Sequence, residues 1–308
     1  MTSTAKWVLA VCLVTAGIGL VYWRVLASLV NAWEVDGNYS HGFLIVPIAL
    51  YFVWERRRRL AAAEPRPSWL GLVVLAGGLC VLLSGLLGSE LFLSRVSLIV
   101  VLAGIVLFLF GWRHLRMLAF PLAFLLLMIP LPAIVFNRIA FPLQLVASRF
   151  GETVISAANI PVLREGNVLV MANTSLEVAE ACSGIRSLVS LITLALLYGY
   201  FTDRRLWVRL AIVASAVPVA IVANGARVAG TGIAAHYIGP DAAQGFFHEF
   251  SGWVVFIVAF LLLLSIQRLI IWLAPARGTA AARPPVVPAA TGAATPEASP
   301  AALKSEAR

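Results

Sequence analysis

The chain has 308 residues, of which 61% are hydrophobic and only 12% are charged, and its mean hydropathy is +0.95. A soluble globular domain is about 45–50% apolar and about 25% charged, so this composition excludes that class and predicts a polytopic membrane protein. The net charge of +9 is explained by basic loops on one side of a membrane, so it does not predict nucleic-acid binding.

Eight apolar stretches approach or exceed the length needed to cross about 30 Å of hydrocarbon. The second and the fourth are short and need flanking residues to complete a span. The sequence therefore predicts an all-α polytopic membrane protein with about eight transmembrane helices. The stretches cover approximately residues 7–29, 41–54, 69–88, 96–111, 117–136, 184–201, 207–226 and 250–273.

The basic residues predict the orientation of these helices. With both termini in the cytoplasm, 16 of the 23 Lys and Arg residues fall on the inner side and the other seven fall outside. Because basic loops tend to stay in the cytoplasm, we expect a multi-pass protein of the cytoplasmic (inner) membrane. The loops with Arg56–Arg59 and Arg204-Arg205 are then cytoplasmic, and the loop 137–181 is external, on the periplasmic side.

The external loop 137–181 has two predicted parts. Over residues 137–160 apolar side chains recur near helical spacing, which predicts an amphipathic helix at the interface. The runs Val162–Arg164 and Val168–Met171 flank a Gly-Asn turn and predict a β-hairpin. Since the hairpin leads towards Cys182, it is either an ordinary structured loop or a cover or docking edge for an extended peptide.

Residues 275–308 differ from the rest of the chain. They are rich in Ala and Pro and have little to bury, so we predict a disordered cytoplasmic tail. Residues 1–274 then form one transmembrane domain.

Cys182 is the thiol that stands at a predicted interface. Cys12 and Cys80 lie inside apolar runs, where a free cysteine usually acts as a buried small hydrophobe. Cys182 precedes an inward-running helix, whose N-terminus lowers a thiol pKa and favours the thiolate. Arg186, one turn further on, acts in the same direction, and Gly184 allows a substrate backbone to approach. A small residue that caps or packs a helix end explains the run equally well.

Arg227 and Asn224 stand three residues apart on one face of the seventh stretch. An arginine within a span is costly and is a functional candidate by default. Together with Asn224 it predicts a polar site that faces the protein interior. We expect Arg227 near the C-terminus of its helix, with Gly230 as the C-cap. The alternative is an arginine that only complements the helix dipole and extends towards the headgroups.

Two histidines on the predicted outer side are rival general bases. His248 begins the eighth stretch, where the helix dipole disfavours the protonated imidazole and keeps a neutral base available. Glu249 follows it, but neighbours in a helix face apart, so no His–Glu pair is assumed. His41 opens the second stretch on the same side. For either histidine, a structural hydrogen-bonding role is the alternative.

Three separate spans thus bring a thiol, a guanidinium and an imidazole to one membrane face. Cysteine as nucleophile, histidine as general acid and base, and arginine as donor to an oxyanion or a substrate carboxylate form a cysteine acyl-transfer site. This chemistry needs no metal and no cofactor, and we predict neither.

The residues around these positions resemble the signature blocks of the exosortase/archaeosortase family, and most closely those of bacterial exosortases. The run from Ser40 to Pro47 is similar to an early span of that family. The resemblance covers roughly residues 7–273. The three blocks are Ala181-Cys182-Ser183-Gly184, Asn224-Gly225-Ala226-Arg227 and Phe247-His248-Glu249-Phe250-Ser251-Gly252-Trp253.

The resemblance implies a membrane-embedded cysteine protease or transpeptidase. Its partners would be membrane lipid and exported proteins with a C-terminal sorting signal of the PEP-CTERM type, which is a Pro-Glu-Pro motif, a transmembrane helix and a basic cluster. Cys182, Arg227 and His248 would be catalytic. Substrate-binding or supporting roles would fall to Asn224, Arg186, His41, Gly184 and Glu249.

Two alternatives from other classes stay open. A transporter or scaffold component of exopolysaccharide export would carry polar residues at mid-membrane depth in several spans. A lipid acyltransferase would use the same thiol.

Overall fold

The computed structural model describes residues 3–172, 174–178, 184–203, 205–239 and 246–273. The fold is helical, as the composition predicts, and the predicted tail 275–308 lies outside the described residues. The helices are α1 (Ser3–Val35), α2 (Gly42–Glu55), α3 (Arg57–Ala61), α4 (Leu70–Leu87), α5 (Leu91–Phe110), α6 (Trp112–Phe124), α7 (Ala133–Ala157), α8 (Gly184–Thr202), α9 (Leu206–Ile238) and α10 (Phe246–Leu273).

The chain is a multi-pass membrane protein, but the expected count of eight spans is not confirmed. Helix α2 and the apolar part of α8, Arg186–Thr202, are short, at about 21 Å and about 26 Å for a rise of 1.5 Å per residue. One bent helix pair qualifies as a sixth span if its two parts are counted together. Among the described residues, five segments are long and apolar enough to cross a membrane: Cys12–Val35, Leu70–Leu87, Leu91–Phe110, Leu206–Ile238 and Gly252–Leu273.

The fifth predicted stretch, 117–136, is not one helix. Helix α6 passes into a 3-10 helix, Leu125–Met128, and the chain then bends by 80° into α7. Pro130 and Pro132 explain the break, because the residue before a proline avoids the helical region. The helix predicted over residues 137–160 is present as α7 and begins a few residues earlier than expected.

Two apolar cores hold the helices together. One lies among α1, α2, α5 and α6, where Tyr22 and Phe52 are almost completely buried. The other lies among α8, α9 and α10, where Leu191, Ile212 and Leu263 are almost completely buried. The second core positions the site, because its three helices follow or contain the three predicted catalytic positions.

A three-stranded antiparallel sheet confirms the predicted hairpin and adds a strand. It consists of β1 (Val162–Glu165), β2 (Val168–Met171) and β3 (Thr174–Glu177), in that order. Gly166 has φ 66°, which a type II′ hairpin turn requires at its first central position. The inner face of the sheet packs on α7 and α9 through Ile155, Leu169, Met171, Leu176, Val178, Val228 and Ala235.

The predicted cytoplasmic loops meet at one end of the helices. The Arg56 guanidinium lies 5.0 Å from the centre of the Tyr200 ring, and Arg209 donates a 3.2 Å hydrogen bond to the Tyr200 carbonyl. In addition, His114 Nε2 donates to the Leu60 carbonyl over 3.2 Å. We call this end, with Arg56–Arg59, Arg113, Arg116, Arg205 and Arg209, the arginine side.

The opposite end is the sheet side, defined by β1, β2 and β3. Helix α9 connects the two ends, since it begins beside Arg209 and its last turns pack against the sheet. The sidedness of the charges predicted from the sequence is therefore present in the fold.

Cys12 and Cys80 differ from expectation. Both are exposed on the outside of their helices, α1 and α4, and are not buried. In a multi-pass membrane protein these helix surfaces are open to lipid, so a small apolar side chain costs little there.

Candidate functional site

Helix α9 is the element on which the site is built. It runs from Leu206 to Ile238 and packs against α7, α8 and α10. From Leu206 to Arg227 it rises about 32 Å, which is close to the thickness of the hydrocarbon layer. Arg227 therefore lies as far from the arginine side as one membrane leaflet surface lies from the other across the hydrocarbon layer. Residues 228–238 continue the helix beyond Arg227 and pack under the sheet.

The expectation that Arg227 ends its helix is wrong. The C-cap is Gly239, with φ 122°, and Gly230 lies within the helix. The charge of a helix end acts mainly within the last turn. Compensation of the α9 dipole therefore does not explain an arginine at position 227.

The side chain of Arg227, which is half-buried, lies against α10. A Cβ atom on Gly252 would be 3.1 Å from Arg227 Nη2 and 3.2 Å from Cζ. The guanidinium thus occupies the space that the missing side chain of Gly252 leaves open. Gly252 stands one turn after His248. His248 and Glu249 belong to α10, but their side chains lie outside the described part of the structure.

Asn224 faces a different pair of helices. It is 7% exposed and lines a narrow cleft, with room for about one water molecule, together with Leu143 of α7 and Leu188 of α8. The predicted shared helix face is therefore divided between two environments. Arg227 contacts α10, whereas Asn224 borders the cleft between α7 and α8.

The nucleophile predicted from the sequence, Cys182, lies outside the described residues. Gly184 is the first residue of α8. Consecutive Cα atoms are about 3.8 Å apart, so covalent geometry keeps the Cα of residue 182 within about 8 Å of that of Gly184. The start of α8 therefore defines the region in which the thiol is attached.

Arg186 connects the start of α8 with the loop between α1 and α2. A Cβ atom on Gly37 would lie 2.7 Å from Arg186 Nη2, so the guanidinium packs against this glycine. The loop continues to His41, one of the two rival bases, four residues after Gly37. The described contact of Arg186 is with this loop.

His41 takes part in a structural network. Its Nε2 donates a 3.2 Å hydrogen bond to the Leu127 carbonyl in the 3-10 helix. Burial lowers the pKa of His41 below its ordinary value, and the nearby carbonyls of Leu127 and Asn38 act in the opposite direction. This geometry favours the structural alternative for His41.

Two more hydrogen bonds attach the end of α1 and the same loop to the break after α6. Trp33 Nε1 donates to the Met128 carbonyl over 2.8 Å, and the Leu131 amide donates to the Tyr39 hydroxyl over 3.1 Å. The end of a helix leaves carbonyl groups without intrahelical partners. Here the indole and the imidazole satisfy two of them.

Sequence reasoning missed Gly252 and Gly37 as contact residues. Gly252 stands in the same sequence block as His248, but a glycine pattern does not reveal which distant side chain fills the space beside it. Among the described residues, no three His, Cys, Asp or Glu side chains cluster as a metal site requires. The absence of a metal remains a prediction.

Comparison with known proteins identifies one family. The model of the transmembrane exosortase family (Exosortase_EpsH) matches residues 33–265. The match covers well over half of the chain and includes α8, α9 and the part of α10 that carries His248. No curated protein and no solved structure matches the chain.

Proposed function

The chain belongs to the transmembrane exosortase family, and from this premise we propose that it is a cysteine protease or transpeptidase. Membership supports the general role of a membrane sorting enzyme. The proposal adds a substrate and a chemistry. The substrate is an exported protein with a C-terminal Pro-Glu-Pro segment, an apolar helix and a basic cluster, and the enzyme removes this signal.

One observation carries the proposal: the guanidinium of Arg227 lies against Gly252, one helical turn after His248. Helices α9 and α10 therefore meet at the level of two predicted catalytic residues. Helix α8 packs in the same core and begins two residues after Cys182. This arrangement supports a common site on the sheet side.

In the proposed reaction, His248 takes the proton of the Cys182 thiol, and the resulting thiolate attacks the carbonyl carbon of the scissile peptide bond. The carbonyl oxygen becomes an oxyanion and accepts hydrogen bonds from Arg227. The tetrahedral intermediate then collapses, the C–N bond breaks, and His248 gives a proton to the leaving amine. The C-terminal helix of the substrate departs, and a thioester remains on Cys182.

The second half of the reaction removes the thioester. An amine or a water molecule attacks its carbonyl carbon while His248 accepts the proton. The C–S bond breaks and Cys182 returns as a thiolate. An amine acceptor gives transpeptidation, and water gives hydrolysis.

The partial burial of Arg227 supports its role as an oxyanion donor. A guanidinium held in place needs little reorganisation when charge develops on the substrate, and its field is stronger away from bulk water. The sheet side is the proposed external face. This placement suits substrates that have already crossed the membrane.

The test is mass spectrometry of a reporter substrate produced together with the wild-type protein or with Cys182→Ala. We expect a shortened substrate only with the wild type, and the mass of its new C-terminus identifies the acceptor. Cys80→Ala, on the lipid-exposed surface of α4, is the control and should process normally. Shortening by Cys182→Ala at the wild-type rate would refute the proposal.

A further inference from the structure

Strand β3 has one paired edge and one open edge. Its register places Leu176 opposite Leu169 of β2. Just beyond the strand, the amide of Val178 donates a 2.9 Å hydrogen bond to the Asn167 carbonyl. In an antiparallel pair, alternate residues exchange both backbone hydrogen bonds with their partner. Residues 174 and 176 therefore bond to β2.

The intervening residues, Ser175 and Glu177, direct their N–H and C=O groups to the other edge. Both side chains are exposed, whereas Leu176 between them is buried. In the part of the chain that the structure describes, no group forms a hydrogen bond with this edge. Four unpaired backbone groups in an exposed row are a template for another extended chain.

The open edge leads to the proposed site. Glu177 precedes Cys182 by five residues, which span at most about 18 Å when fully extended. On its inner face the sheet contacts Val228, the residue after Arg227. The edge therefore begins within a few residues of the proposed nucleophile and beside the helix that carries the proposed oxyanion donor.

We propose that the open edge of β3 binds the substrate polypeptide by strand addition. The bound segment is the extended stretch that precedes the substrate's apolar helix, and it pairs with the backbone of Ser175 and Glu177. This inference rests on the proposed function, because it requires a polypeptide substrate that is cleaved near Cys182. Main-chain pairing of this kind aligns a peptide with little dependence on its side chains.

A proline substitution tests the pairing. Ser175→Pro removes the outward N–H at position 175 but keeps the bonds to β2, since proline is tolerated where the N–H faces away from the ladder. Processing of the reporter substrate should fall at least tenfold, through a higher KM. Arg164→Pro is the control at the far edge of the sheet, because Arg164 holds the equivalent outward position on β1. Since Arg164 also forms an ion pair with Glu152, its reference is Arg164→Ala, which loses the same ion pair, and the two variants should process the reporter within about threefold of each other.

Cross-linking provides a test that does not depend on the proline variant. Ser175→Cys is combined with Cys182→Ala, and reporter substrates carry single cysteines at successive positions before the apolar helix. Because side chains alternate along a strand, disulfides should form at every second position. Leu163→Cys, exposed on β1, should form none above background. Uniform cross-linking at all positions, or disulfides only between two copies of the protein, would overturn the proposal.

The two proposals fail in different ways. If the reporter is not shortened, or is shortened without Cys182, the proposed function is wrong. If it is shortened in a Cys182-dependent manner at the same rate by wild type and Ser175→Pro, the function stands and the binding edge is wrong.

Discussion

The guanidinium of Arg227 lies in the space beside Gly252, and a lysine cannot reproduce that contact. Lysine keeps the charge but not the planar fork with its paired donors. Removal of one oxyanion donor costs on the order of 10²–10³ in rate in acyl-transfer sites. We therefore expect Arg227→Lys to insert normally and to process the reporter at least about a hundredfold more slowly.

The measurement is kcat/KM for reporter cleavage, normalised to the amount of inserted protein. His248→Ala should be impaired to a similar extent, and His41→Ala less so, because His41 bonds the 3-10 helix. Near-normal processing by Arg227→Lys would contradict the role of Arg227 as an oxyanion donor and would indicate a structural role.

Even a methyl side chain at position 252 should reduce the activity. The added methyl group of Gly252→Ala would stand 3.1 Å from Arg227 Nη2 and would displace the guanidinium by a few tenths of an ångström. Small displacements of a positioned group are costly in catalysis, so we expect reporter cleavage to fall about tenfold. Gly230→Ala, which has open space around the new methyl group, is the control. Equal activities of the two variants would contradict this.

His41 should give the protein a measurable pH dependence of stability. Burial lowers its pKa in the folded state, so the folded protein binds fewer protons than the unfolded chain near pH 6. The stabilising contribution is present above the unfolded pKa of about 6.5 and is lost as the pH falls through the folded pKa. The melting temperature in detergent should therefore drop between pH 8 and pH 5.

The comparison is with His41→Gln, whose amide still donates a hydrogen bond but does not titrate. Its melting temperature should fall less over the same pH range. Parallel curves for the two proteins would exclude His41 as the titrating group.

The position of single side chains along a helix was predictable from the sequence, but their neighbours were not. The spacing of Asn224 and Arg227 places them about one turn apart on α9, but it does not give them common neighbours, since Arg227 contacts α10 and Asn224 faces α7 and α8. The contact of Arg227 with Gly252 does not follow from spacing, because it joins two spans whose rotation about their axes depends on the packing of the whole core. The roles of Cys182 and His248 stay predictions.

At the scale of elements, α10 carries an unusual buried group. Gln267 is 1% exposed, and in the described structure neither of its amide atoms has a hydrogen-bond partner. An unsatisfied buried polar group costs about 1–3 kcal/mol. Gln267→Met, which preserves the volume approximately, should raise the melting temperature in detergent by several degrees. A lower melting temperature would show that the amide has a partner, such as an ordered water molecule.

The helix boundaries show what hydropathy predicts and what it misses. The seventh apolar stretch ends at residue 226, whereas α9 continues to Ile238. Its last turns are less apolar, and packing under the sheet stabilises them. The hairpin was predictable because Gly166 and Asn167 form a local turn signal. Strand β3 was not resolved as a separate strand, since its pattern is short and partly polar.

At the break between α6 and α7, hydropathy predicts a continuous helix where the structure has two. Residues 117–136 are apolar enough to be read as one span, yet Pro130 and Pro132 interrupt the helix. The free carbonyls at the break are then satisfied by residues about 90 positions earlier. The hydropathy of a local stretch of sequence does not reveal these hydrogen bonds to distant residues.

For the whole molecule, the predicted orientation can be tested directly. In a variant without native cysteines, Glu165→Cys on the sheet side should react with an impermeant maleimide in intact cells. Arg205→Cys on the arginine side should react only after permeabilisation, because basic loops tend to stay in the cytoplasm. Labelling of position 205 from outside would show that the arginine side is external, which contradicts the proposed placement of the site on the external face.

The family and the two-sided charge distribution were the most predictable features at this scale. The sequence blocks resembled exosortases, and the family match over residues 33–265 confirms it. The basic loops meet at the arginine side, as their clustering along the sequence predicts. The number of spans was not predictable, because α2 and α8 are apolar without being long enough to cross by themselves.

The length of α9 sets a limit on the substrates that the proposed enzyme can use. Beyond Arg227 the helix rises about 17 Å to Ile238, and the sheet is fixed to this segment through Val228 and Ala235. The binding edge therefore stands at a constant height above the level of Arg227. A substrate with a long spacer between its recognised segment and its apolar helix would carry the scissile bond past Cys182. Spacer length, as well as sequence, would then decide which proteins are processed.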